Sequence, residues 1–297
     1  MRKILWLAPL AGIAAVLTWP QRGTPGTGEA LEKRIAQIQR VGPLQEISCA
    51  ELAKAHPLVL LALGQSNAGN HGSGPEPASE PINLIADGKC VRSRDPLPGA
   101  TGRGGSIWSH LPHLLVEGTG SRQIVLSVLA VDATSIADWT DPQRPLKNLL
   151  SDRIASMVKL GLPPSLILWQ QGEADSRDGT TERDYTTGLI KLAAILDEAG
   201  SNAPLLLARS TLCKAAPETS IRDAIARTAG KNSRFRIGPD TDTLAGEYYR
   251  TGCHLKAAGL ESAARMWASV ILDQLAAGTK SQLAVEAILR QGIGPLH

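Results

Sequence analysis

The feature that most constrains this chain is the apolar run from Leu58 to Leu63, which ends abruptly at Gly64-Gln65-Ser66-Asn67. It is too short to span a membrane. Bounded by Pro57 and Gly64, it reads as a strand buried on both faces, the habit of parallel sheets. Comparable runs recur at 124–131, 165–169, 204–208 and, more weakly, 234–237. Helical stretches near 106–117, 145–160, 182–199 and 218–230 separate them, and a last helix covers about 256–276. Short strands alternating with helices of this length build βαβ units with right-handed crossovers, so the expected architecture is a three-layer α/β sandwich around a parallel sheet.

Length and composition fit that reading. A chain of 297 residues with 43% hydrophobic content suits one α/β domain with short additions. With one Phe and three Tyr, its core must come from Leu, Ile, Val and Ala. Lys and Arg total 31 against 28 Asp and Glu, and they are dispersed. No basic block suggests nucleic acid as a partner. At the N-terminus Arg2 and Lys3 precede an apolar stretch, Ile4 to Trp19, closed by Pro20. This is the layout of a secretory signal. No small-x-small cleavage site follows Leu17, so the segment reads either as a signal peptide or as an uncleaved membrane anchor, and the protein as exported to a periplasmic or extracellular space.

The expected organisation is a signal or anchor at 1–20, a linker with a short helix at 21–48, one domain at 49–280 and a tail at 281–297. The helix, with Leu31, Ile35 and Ile38 at helical spacing, reads as a stalk or a pad on the domain. Oligomeric state is not legible. Four cysteines match no zinc spacing and fit an oxidising compartment with two disulfides. Of three connectivities the favoured one is Cys49–Cys90 with Cys213–Cys253, which would tie a strand end to the segment carrying His254; four unpaired buried thiols are the competing reading.

Three places carry candidate chemistry. Ser66 projects from the carboxyl edge of the first strand, where ligands bind in open α/β sheets. A helix N-cap is the competing role, and Ala68 breaks the G-x-S-x-G pattern. After the strand at 165–169, Trp169-Gln170-Gln171-Gly172-Glu173 delivers an amide and a carboxylate to the same edge. An amide aimed at a developing oxyanion is one way to stabilise acyl transfer. Finally, His254 stands at a loop-to-helix junction behind the last strand, where a base for Ser66 would lie. Of the other histidines, His71 could line the site, while His110 and His113 lack a third metal ligand.

Together these blocks resemble the SGNH-hydrolase superfamily, and within it the sialate O-acetylesterase-like carbohydrate esterases. The resemblance covers about residues 57–275: Gly64-Gln65-Ser66-Asn67, then Gly102-Arg103-Gly104-Gly105-Ser106, then Trp169 to Glu173, then Thr251 to His254. It implies a flavodoxin-like sheet, Ser66 as nucleophile, His254 as base, and an oxyanion held by the Ser66 N–H, Gly104 or Gly105, and Gln171, with Gln65 and Asn67 beside them. It also implies an acetyl-serine intermediate, no metal or organic cofactor, and an acetylated carbohydrate as substrate. Two residues depart from the pattern. Thr251 stands where an aspartate orients the histidine, and Gln170 where a histidine is usual. Glu173 is the expected replacement acid, with Asp240 and Asp242 as further candidates. Trp108 and Trp139 could stack on sugar rings or pack in the core. The missing aspartate motivates a non-catalytic binder of acetylated glycan as an alternative; a polysaccharide acetyltransferase using the same serine is another.

Overall fold

The apolar run at 58–64 is the centre of an eight-stranded sheet. In the computed structural model the described residues are 27–73, 81–120, 122–213 and 217–292; the expected signal or anchor at 1–20 lies outside them. Along the chain the elements are α1 (Thr27–Ile35), β1 (Gln45–Ile47), α2 (Cys49–Lys54), β2 (Leu58–Gly64), a hairpin of β3 (Ile82–Ala86) and β4 (Lys89–Ser93), α3 (Ile107–Val116), β5 (Ile124–Ala130), α4 (Ile136–Thr140), α5 (Pro145–Lys159), β6 (Leu166–Gln170), α6 (Glu173–Asp178), α7 (Glu182–Glu198), β7 (Leu205–Arg209), α8 (Thr219–Lys231), β8 (Phe235–Asp240), a two-stranded ribbon of β9 (Arg250–Thr251) and β10 (His254–Leu255), and α9 (Ala257–Gly292).

The sheet order is β1-β4-β3-β5-β2-β6-β7-β8. Strands β5-β2-β6-β7-β8 are parallel and give the flavodoxin order 2-1-3-4-5. On the β5 edge the sheet is extended by β3, parallel to β5, then by β4, antiparallel to β3, and by β1, antiparallel to β4. The pattern at 58–64 predicts no such extension. Asn83, Lys89 and Arg92 interrupt the apolar sequence there, as polar residues do toward the rim of a sheet.

Every residue of β2 is buried, but the two faces serve different layers. Val59, Leu61 and Leu63 enter a core closed by α1, α4, α5, α7 and α8. Leu58, Leu60 and Ala62 enter a second core closed by α3 and α9, where Trp108 meets Trp267. The helices begin where the sequence provides caps. Pro145 occupies the first turn of α5, and the Thr181 hydroxyl accepts from the Asp184 N–H to open α7.

Two boundaries fall elsewhere than composition suggests. Residues 27–48 are packed on the sheet: Leu31 and Ile38 lie in the first core, the Gln39 N–H donates to Ala100, and the Cys49–Cys90 disulfide ties the entry to β4. At the other end α9 runs through Gly292 instead of stopping near 276. Among the described residues no helix is long and apolar enough to cross a membrane.

Gly64 closes β2 with φ +145°, and a Cβ there would lie 2.1 Å from the Gln170 carbonyl oxygen. Only glycine lets the ends of β2 and β6 come this close. That approach sets the Gln65-Ser66 turn beside Gln170 and Gln171.

Candidate active site

The carboxyl ends of β2, β5 and β6, together with the β9–β10 ribbon, surround a cavity of ≈ 180 Å³ whose walls include Gln65, Ser66, His71, Asp132, Glu173 and His254. It is small beside the roughly 300–1,000 Å³ of most ligand pockets, a size that suits a short acyl group. The Cys213–Cys253 disulfide forms part of the wall. Both disulfides have the expected connectivity.

Ser66 opens a single 3₁₀ turn, Ser66–Ala68, directly after β2, and is buried. Behind it Asn67 acts as a clamp. Its Nδ2 donates to the Cys253 carbonyl (2.9 Å) and its Oδ1 accepts from the Leu255 N–H (3.3 Å), so one side chain grips the residues on either side of His254. The same Nδ2 donates to Glu173 Oε1 at 2.6 Å. Among the described residues no hydrogen bond joins Ser66 to His254; the two share the cavity.

Glu173 does not hold His254. Its Oε1 accepts from Asn67 and from the Ser210 hydroxyl (2.8 Å), and its Oε2 is buried without a hydrogen-bond partner. Burial raises its pKa to about 7 against these hydrogen bonds and the nearby Arg250 charge. Asp240 and Asp242 are likewise committed elsewhere. Both accept from Arg222, and Asp242 also accepts from the Thr211 and Leu212 N–H groups, which fixes the loop leading to Cys213. Thr251 is exposed opposite His254 in the ribbon.

The oxyanion donors also differ from expectation. Gln171 is fully buried, and its Nε2 lies within hydrogen-bond distance of Gln65 Oε1, the Thr134 carbonyl and Asp175 Oδ2, so its donors are occupied away from the cavity. The Gly104 N–H donates to the Asn70 carbonyl, and neither Gly104 nor Gly105 lines the cavity. A Cβ on Gly104 would sit 2.0 Å from the Gly72 carbonyl oxygen, so this glycine block is explained by close packing of two loops. Three donors at the cavity wall have no acceptor among the described residues: the Ser66 N–H, the Ala133 N–H and the Gln65 amide nitrogen, whose Oε1 partner is pinned by the Ala174 N–H and Gln171.

Gln170 is a core hub. Its amide donates to the Ser210 and Thr241 hydroxyls and its oxygen accepts from the Trp267 indole. Trp108 and Trp139 are fully buried, which removes them as sugar platforms; their indoles donate to the Ala68 carbonyl and the Thr134 hydroxyl beneath the site. His110 and His113 lie on α3, outside the cavity wall.

Both cavity histidines have lowered pKa values. For His254 burial is the main cause and Arg250 adds to it, while the Asp132 charge opposes them. For His71 burial again leads, Asp132 opposes, and His254 adds to the lowering. A neutral imidazole at neutral pH is the form that accepts a proton. Sequence reasoning did not single out Asp132 or Arg250. Asp132 follows the apolar run at 124–131 directly, within a few residues of a strand's carboxyl end as Ser66 and Gln171 are, and that signal could have found it. Arg250 carries no such mark; it is a buried cation whose guanidinium donates to the Thr241, Leu244 and Cys253 carbonyls.

A family model described as "Carbohydrate esterase, sialic acid-specific acetylesterase" matches residues 58–272. Among solved structures, a protein of Arabidopsis thaliana superposes with a TM-score of 0.61 at 18% identity, over 73% of this chain and 98% of that one. NanS gives 0.49 at 17% identity over 73% and 97%. Est24, a carbohydrate acetylesterase from Sinorhizobium meliloti, gives 0.47 at 15% identity over 74% and 98%. No curated protein matches the chain.

Proposed function

The chain belongs to the sialic acid-specific acetylesterase family of carbohydrate esterases, and from that premise we propose that it removes acetyl groups from an O-acetylated carbohydrate through an acetyl-serine at Ser66. The observation that carries the reading is the shared cavity: Ser66 and His254 both line a space large enough for an acetyl group and little more. His254, neutral at neutral pH, takes the Ser66 hydroxyl proton as the oxygen attacks the ester carbonyl. The carbonyl π pair moves onto oxygen, and the free donors at Ser66, Ala133 and Gln65 hold that oxyanion. Collapse breaks the bond to the sugar oxygen, which leaves with the proton from His254. Water, deprotonated by the same imidazole, then releases acetate and restores Ser66.

The two disulfides favour an oxidising compartment, and we assign the working location to the periplasm or the extracellular space. The test is release of p-nitrophenol from p-nitrophenyl acetate by the full chain beside Ser66→Ala. Hydrolysis should fall to background in the variant while its melting temperature stays close to that of the parent. Undiminished hydrolysis would remove Ser66 from its role. A folded parent with no turnover would favour the glycan-binding alternative.

A further inference from the structure

The acid that normally partners the histidine is missing at position 251, and none of Glu173, Asp240 and Asp242 reaches His254 by a hydrogen bond. One carboxylate in the cavity wall has no other task. Asp132, the second residue after β5, accepts no hydrogen bond from the described residues, and its side chain is 29% exposed. Its Oδ1 lies 3.9 Å from His71 Nε2, and the His71 ring stands 5.2 Å from the His254 ring, tilted by 37°.

The position of Asp132 is built in. Its N–H donates to the Thr101 hydroxyl (3.0 Å), and the same hydroxyl is 3.1 Å from His71 Nε2. The next residue, Ala133, is held at φ +54°, a left-handed conformation that a non-glycine residue adopts only when its surroundings impose it. Thr101 therefore sets the distance between Asp132 and His71, and the turn at Ala133 sets where the carboxylate stands.

We propose that Asp132 supplies the negative charge that position 251 lacks, acting on His254 across the cavity and through His71, as a positioning residue for the acyl transfer. This rests on the reading of His254 as the base. As Ser66 attacks, its proton moves to His254 and the imidazole becomes a cation. The Asp132 carboxylate balances that cation, with His71 set beside both. The other charged or titratable groups facing His254 are Arg250 from β9, Glu173 and Arg177 from α6, and His71 itself. Arg250 disfavours the imidazolium, so Asp132 is the group that opposes both it and burial.

Asp132→Asn in the full chain tests the assignment, with hydrolysis of p-nitrophenyl acetate followed across pH and the histidine ring protons titrated by NMR. The variant should lose about 10- to 100-fold in kcat, less than the ~10⁴ of a directly bonded triad acid, because the charge acts at a distance. KM should change little. The acid limb of the rate profile and the His254 titration should both move to lower pH, since the charge that opposes burial has gone. Adding Thr251→Asp to that variant should restore most of the rate by placing a carboxylate beside the histidine. An unmoved His254 titration overturns the proposal, whatever happens to the rate, as does a rate within threefold of the parent. The titration reads the Asp132–His254 coupling even in a protein that hydrolyses no ester, so failure here is distinct from failure of the serine mechanism, which the Ser66→Ala variant reports.

Discussion

Glu173 makes the stability of this protein depend on pH in a direction opposite to most carboxylates. Its carboxyl is buried, Oε1 receives Asn67 and Ser210, Oε2 receives nothing, and its pKa stands near 7 instead of 4.5. The folded state thus holds a proton that the unfolded chain has released. Stability from this group is fully present below pH 4.5, declines as pH rises from 4.5 to about 7, and stays lower above that. The interval corresponds to about 3 kcal/mol. Glu173→Gln keeps the shape and the acceptor for Asn67 and Ser210 but cannot ionise. The variant should therefore gain about 3 kcal/mol relative to the parent between about pH 4.5 and pH 8. Urea unfolding of both proteins with disulfides intact, at both pH values, isolates the effect, because every other titrating group is common to the pair. A difference between the two proteins that is constant with pH, within the roughly 10–15% uncertainty of the extrapolation, would refute the assignment of a protonated, buried Glu173.

Two further outcomes follow from the geometry. Asn67→Ala removes the bonds to Glu173, to the Cys253 carbonyl and to the Leu255 N–H; it should lower stability by ~3 kcal/mol in urea unfolding and reduce kcat more than KM, because His254 loses its clamp. Replacing Cys213 and Cys253 by serine opens a loop of sequence separation 40 and should lower unfolding free energy by about 4 kcal/mol by the chain-entropy relation, with esterase activity falling before the far-ultraviolet circular dichroism changes.

The sheet was legible because parallel strands buried on both faces write themselves as unbroken apolar runs. Leu58–Gly64 and Ile124–Ala130 could hardly be anything else. The β3–β4 hairpin was not legible, because its apolar residues alternate with Asn83, Lys89 and Arg92 at the rim. For residues 27–48 the helical spacing of Leu31, Ile35 and Ile38 was legible as a stalk or a pad, but not that Leu31 and Ile38 enter the core. The positions of Ser66, Gln171 and Glu173 at one edge followed from strand ends, and that of His254 from the loop-to-helix junction behind the last strand. Their bonding partners did not follow. A strand end tells which side of the sheet a polar residue reaches, but only the packing of neighbouring loops decides which acceptor lies within 3 Å.

That distinction changes what the motif residues mean in this chain. Gln65, Asn67, Gln170, Gln171 and Glu173 bond mainly to one another, to Ser210, Thr134 and Asp175, and to the backbone flanking His254. A buried polar group left unpaired is destabilising by about 1–3 kcal/mol, so such a network holds together or fails as a unit. Its product is rigidity at two places, the Ser66 turn and the His254 ribbon, with the Ser66 and His254 side chains at its margin. The donors left open at that margin belong to residues the network positions without consuming, namely the Ser66 and Ala133 N–H groups and the Gln65 amide nitrogen. Ala133 and Asp132 arrive together on the turn after β5, which places an open backbone N–H and a carboxylate on adjacent residues of one strained segment. A chain with threonine at 251 therefore concentrates in that turn a charge that the ribbon does not supply.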